Sequence, residues 1–221
     1  MGSAKNKQSS AARKARIEEM RRAERARERR SRILTITASA VIVVGLVVGG
    51  VVLVKTQSDD SDTATDSKTT GKLVAGADGV SKWEGELSRT HVSKDVKYSV
   101  EPPVGGDHNQ VWMNCNGDVY TDDIPNVNAV HSLEHGAVWV TYTDKADKAD
   151  VDALAEKVKK TPYTLMSPNE EQKDPIMLTA WGHQRTVTGA DDPNVDKFLE
   201  KFVQGEQTPE KGAACTGGLS K

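Results

Sequence analysis

The sequence predicts one small α+β domain, held outside a membrane by a single N-terminal helix. Ile33 to Val54 is a run of 22 residues without a charge. At about 1.5 Å per helical residue it crosses a hydrocarbon core of about 30 Å. Further on, periodicity changes in the order strand, helix, strand, strand, helix, which suits helices packed on a mostly antiparallel sheet, an α+β sandwich. The chain has only two cysteines, Cys115 and Cys215, and both lie beyond the apolar run.

A net charge of −2 hides two opposed parts. Residues 1–32 carry 12 Lys and Arg against 4 Glu, and the remainder carries 18 basic and 28 acidic residues. Positive charge stays in the cytoplasm, so 1–32 reads as a basic cytoplasmic arm, 33–54 as a transmembrane helix and residues from 55 onward as extracytoplasmic. The expected location is therefore the cell membrane, crossed once. A cleaved signal peptide would have a shorter apolar region and a small-residue cleavage site, which Lys55-Thr56-Gln57 does not supply. Topology and contact with anionic lipid account for the basic arm without nucleic acid. Gly45 and Gly49 have the spacing that lets two such helices approach closely, as a weak homodimer. Residues 55–77, rich in Ser, Thr and Asp, have too few apolar groups to fold and read as a disordered linker.

The folded domain is expected over 78–205. Its first third is irregular, with Pro102-Pro103-Val104-Gly105-Gly106-Asp107-His108 as a loop in which proline and glycine preclude regular structure. A short helix from Asn128 as cap to Gly136 as stop comes next. Ala137 to Tyr142 is apolar on both faces, as a central strand is. Asp147 to Lys160 places Val151, Leu154, Ala155 and Val158 at helical spacing, acidic residues first and lysines last, and Pro162 ends it. Tyr163 to Met166 and Ile176 to Trp181 read as strands. Asp192-Pro193 opens a last helix that buries Val195, Phe198, Leu199, Phe202 and Val203. Residues 206–221 form a tail. In an oxidising compartment, a Cys115–Cys215 bridge that pins this tail is the default, with two free thiols serving a metal as the alternative.

Chemistry concentrates in Val130-His131-Ser132-Leu133-Glu134-His135-Gly136. At about 100° per residue, His131, Glu134 and His135 share one arc of a helix. Imidazoles four residues apart suit a transition-metal ion, and His108 in the Pro/Gly loop is the natural third ligand. The expected group is thus His108, His131, Glu134 and His135, holding copper or zinc, with Met113 and Met166 as spare donors. Two other readings stand beside it. The same residues form a structural hydrogen-bond network in a non-catalytic module that meets an envelope protein partner. Alternatively, His-x-x-Glu-His is the inverted zinc-peptidase motif, with Glu210 downstream as a further ligand. The domain is far too small for that peptidase group, and no phosphate loop or nucleophile elbow appears, so enzymatic activity is not the leading expectation. His91 and His183 read as surface or core residues.

The chain also resembles a domain-of-unknown-function family. The residues that carry the resemblance are Tyr98…Pro102-Pro103-x-Gly105-Gly106-x-His108, Val130 to Gly136, Thr179-Ala180-Trp181-Gly182, and Thr208-Pro209-Glu210…Cys215-Thr216-Gly217-Gly218. The resemblance covers residues 78–221 and implies a membrane-anchored protein of mainly actinobacterial distribution. It places His108, His131, Glu134 and His135 in the family signature, with Cys115 and Cys215 as an accompanying pair. It implies no established activity.

Overall fold

The computed structural model describes residues 69–221. The basic arm 1–32 expected in the cytoplasm, the apolar span 33–54 expected to cross the membrane and the first part of the expected linker lie outside the described residues. Among the described residues no helix is long and apolar enough to cross a membrane.

One sheet organises the domain. Its strands are β1 (Thr70–Ala75), β2 (Ser81–Glu86), β3 (Asn116–Val119), β4 (Val138–Tyr142), β5 (Thr164–Pro168), β6 (Ile176–Ala180) and β7 (His183–Thr186), in the spatial order β1-β2-β7-β6-β4-β5-β3. The helices are α1 (Asn126–Glu134), α2 (Lys148–Lys159) and α3 (Pro193–Phe202). The α+β class is as expected, but the sheet is mixed. Pairings from β1 through to β4 are antiparallel, whereas β4–β5 and β5–β3 are parallel. Helix α2 links β4 to β5 and α1 lies between β3 and β4 in the chain, and a helical crossover is what parallel strands need. The sheet also begins at Thr70, inside the stretch read as linker, because β1 pairs with β2 along its whole length.

Strand β4 sits between β6 and β5, and its residues Val138 to Val140 and Thr141 are all buried. Successive residues of a strand point to opposite faces, so both faces are covered there, as the apolar run predicts. Helix α3 buries Val195, Phe198, Leu199 and Phe202, one stripe at helical spacing, and Asp192 caps it by accepting from the Asn194 amide at 2.9 Å. Each such apolar side chain contributes roughly 1.5–3 kcal/mol when removed from water. Asp147 caps α2 in the same way, through the Ala149 amide at 2.7 Å.

Helix α1 departs from the expectation. It starts at Asn126 after Pro125, so Asn128 is an interior residue, and its side chain donates to the Val111 carbonyl instead of capping. Val127 to Glu134 are all buried, so neither face meets solvent. His131, Glu134 and their neighbours are enclosed by the loop through His108 on one side and by the C-terminal tail on the other. Gly136 ends the helix at φ +91, and a Cβ there would stand 2.7 Å from Thr208 Oγ1. Only glycine combines that backbone with that closeness.

The tail is part of the domain. The Cys115 amide donates to the Cys215 carbonyl and the Asn114 amide to Leu219, each at 2.8 Å, and the Glu210 amide donates to the Glu134 carbonyl at 3.0 Å. Cys115 and Cys215 lie at disulfide distance, with Cα atoms 4.8 Å apart.

Candidate metal centre

Four side chains from three parts of the chain converge. His131 and Glu134 come from α1, one turn apart on one side of it. His108 ends the Pro/Gly loop, whose residues 102–108 are all buried. His91 comes from the irregular segment after β2. It reaches the group because the backbone pairs beside His108: the His108 amide donates to the Thr90 carbonyl at 3.1 Å and the Val92 amide to the His108 carbonyl at 2.8 Å. One ligand atom from each of the four lies within 4.8 Å of all the others.

Hydrogen bonding prepares the rings. His108 Nδ1 lies 2.7 Å from the Gly106 carbonyl oxygen and His131 Nδ1 lies 2.6 Å from that of Asn109. A carbonyl only accepts, so each Nδ1 carries the proton and each Nε2 of the neutral ring presents a lone pair. Outer partners of this kind fix the tautomer and orientation of histidine ligands in metal sites. His108 Nε2 then lies 2.9 Å from Glu134 Oε2, yet both atoms are buried without a hydrogen bond of acceptable geometry. Two acceptors that face each other this closely call for a cation between or beside them, either a proton or a metal ion.

Charge supports the same arrangement. Burial pushes the Glu134 carboxyl up, but a proton or charge on the neighbouring His108, with His131 and Arg89, outweighs it and holds it below the ordinary carboxylate range. Burial, with His108 and His91 close by, holds His131 below the usual imidazole range, so its lone pair is available. Arg89 Nε stands 3.6 Å from Glu134 Oε1 and leaves Oε2 turned toward His108 and toward His91 Nε2 at 4.0 Å. Trp112 packs against His131 with ring centroids 5.7 Å apart, and Trp181 meets His108 edge-on at 6.0 Å. These indoles keep the surroundings apolar. The donor set fits a divalent transition metal: three imidazole nitrogens, one carboxylate oxygen, and no sulfur.

His135, expected in this group, lies beside it with its ring centroid 4.5 Å from that of His131, and is not among the four that converge. Its Nδ1 lies 2.7 Å from the Ala214 carbonyl oxygen and its Nε2 faces the Glu210 carboxylate at 3.8 Å, both in the tail. Gln204 donates from its side chain to the His135 carbonyl. Burial takes the His135 imidazole down to about 4. Its role is to tie the end of α1 to the tail. This also separates the geometry from the peptidase motif, which needs both histidines on one ion and the glutamate free for water. Here Glu134 is one of the four groups that converge and His135 is not. His183 binds the Trp181 carbonyl through Nδ1 at 2.9 Å, away from the group. Met113 and Met166 lie in the apolar core. His91 is the residue that sequence reading missed. Only its pairing with residue 108 marks it, and that is a tertiary contact with no local signature.

Residues 91–217 match the family described as protein of unknown function (DUF3105). The chain belongs to this family. The matched DUF3105 region contains His91, His108, His131 and Glu134, and both cysteines. No match was found among curated proteins or among solved structures.

Proposed function

We propose that this DUF3105 domain binds one divalent transition-metal ion, zinc or copper(II), through His91, His108, His131 and Glu134. It would do so on the outer side of the membrane, for metal handling or sensing. The observation that carries this reading is the buried pair His108 Nε2 and Glu134 Oε2, two acceptors 2.9 Å apart without a hydrogen bond between them. Copper(I) prefers thiolate or thioether donors, which the group lacks, so the divalent ions suit it better. Membrane attachment rests on the uncharged span 33–54 and the basic arm before it.

Elemental analysis and calorimetric titration of the full-length chain in detergent test the metal reading. One equivalent of zinc or copper(II) is expected, with the affinity of His131→Ala lower by about 100-fold or more, since loss of an outer partner alone typically costs about 10–100-fold. A wild type that takes up neither ion at micromolar concentration would end the metal reading in favour of a structural His/Glu network. Protease added to intact cells tests the topology: the domain should be digested and the arm spared.

A further inference from the structure

Resting on the metal reading, we propose that His91 is the exchangeable ligand of the site. It opens to admit the ion and gives way to an incoming donor, while His108, His131 and Glu134 hold the ion in place.

Three differences separate His91 from the other ligands. The first is exposure. The His91 side chain is 47% exposed, against 2% for Glu134 and 0% for His108. The second is support. His131 and Glu134 stand on a helix buried throughout, and His108 ends a buried loop, whereas residues 89–91 form an exposed stretch of irregular chain. That stretch is attached to the body by the two backbone bonds around residue 108, by the Ser88 hydroxyl, which donates to Asp107, and by the half-exposed Arg89 against Glu134. The third is locking. Gly106 and Asn109 carbonyls fix the rings of His108 and His131, but among the described residues no carbonyl fixes that of His91. Its ring is held by packing, with centroids 4.9 Å from both His131 and His108, and by its Nε2 facing Glu134 Oε2 at 4.0 Å.

A ligand without an outer partner is free to rotate off the ion, because an outer hydrogen bond is what holds an imidazole in its coordinating orientation. The step is a substitution. An incoming lone pair forms one coordinate bond as the bond to His91 Nε2 breaks, with no change in the oxidation state of the metal and His91 leaving as the neutral ring. Arg89, 52% exposed, stands at the same mouth with its guanidinium against Glu134. A cation at the entrance favours an anionic donor, so the expected partner in exchange is a carboxylate- or thiolate-bearing chelating group.

The test compares full-length wild type, His91→Ala, His91→Gln and His131→Ala, each loaded with zinc in detergent. Equilibrium affinity is measured, with uptake of zinc and its release to EDTA followed by stopped flow. If His91 gates the site, both His91 variants retain zinc within about tenfold of the wild-type affinity, while uptake and release both accelerate by about tenfold or more. His131→Ala instead loses affinity by about 100-fold. Variants of His91 that lose zinc as completely as His131→Ala, or whose uptake is no faster than wild type, overturn the proposal while leaving the metal reading intact. A wild type that binds no zinc overturns both, and the equilibrium measurement alone reveals it.

Discussion

His108 Nε2 and Glu134 Oε2 are 2.9 Å apart in a buried space, each without a hydrogen-bond donor. This contact distinguishes a metal site from a structural network through the effect of zinc on Glu134→Gln. In a metal site, zinc stabilises the wild type, because an ion that binds only the folded state raises its stability by mass action, and the substitution removes the anionic ligand and most of that gain. In a structural network the contact is held by a proton, zinc stabilises neither protein, and the substitution costs about 3–5 kcal/mol with or without the ion. Denaturant unfolding of both proteins with and without zinc separates the two. A wild type whose midpoint zinc leaves unchanged would favour the network.

The central strand was legible in the sequence because Ala137 to Tyr142 is largely apolar on both faces, as a covered strand is. Asp192 was legible as a cap for a local reason, since a cap bonds two residues along the chain. Strand β1 was not. Most of Thr70 to Ala75 is exposed, and its polar, Gly-containing sequence reads as linker until β2 pairs with it. Half of the candidate site came from helix periodicity, which placed His131 and Glu134 together. His135 lies on the same turn but answers to Ala214 and Glu210, 79 and 75 residues further on in the sequence, and helix periodicity carries no information about them. His91 is selected by backbone pairing with His108, and sequence spacing holds no trace of that.

The cysteine pair should govern the tail more than the sheet. Cys115 and Cys215 are 100 residues apart in sequence, and a bridge over such a loop contributes roughly 4–5 kcal/mol in the chain-entropy account. The neighbouring Ala214 carbonyl is the acceptor for His135, so releasing Cys215 also loosens the end of α1. Reduction is expected to lower the unfolding midpoint and to make residues after Gly205 the first to be cut by protease. Mass analysis after alkylation without reductant should find both thiols blocked. Two alkylated cysteines in the native protein would refute the bridge.

Acid should destabilise the metal-free domain in a defined window. The unfolded His135 imidazole titrates near 6.5, and burial takes the folded one down to about 4. Between those values the unfolded state holds the extra proton, so stability is full above about pH 6.5 and falls as the pH drops toward 4. One group with this difference accounts for up to about 3 kcal/mol. His131, also lowered by burial, acts in the same direction. Glu134, held below the usual carboxylate range, extends the loss at still lower pH, because its unfolded carboxyl takes up a proton first. His135→Gln keeps a donor for the Ala214 carbonyl and removes the titration, so its melting temperature should fall less than that of wild type between pH 6.5 and 4.5. Thermal melts in the presence of a chelator make the comparison without metal. Equal slopes for the two proteins would show that His135 is not the buried neutral imidazole described here, and the acid sensitivity would then belong to the ligand group around His131 and Glu134.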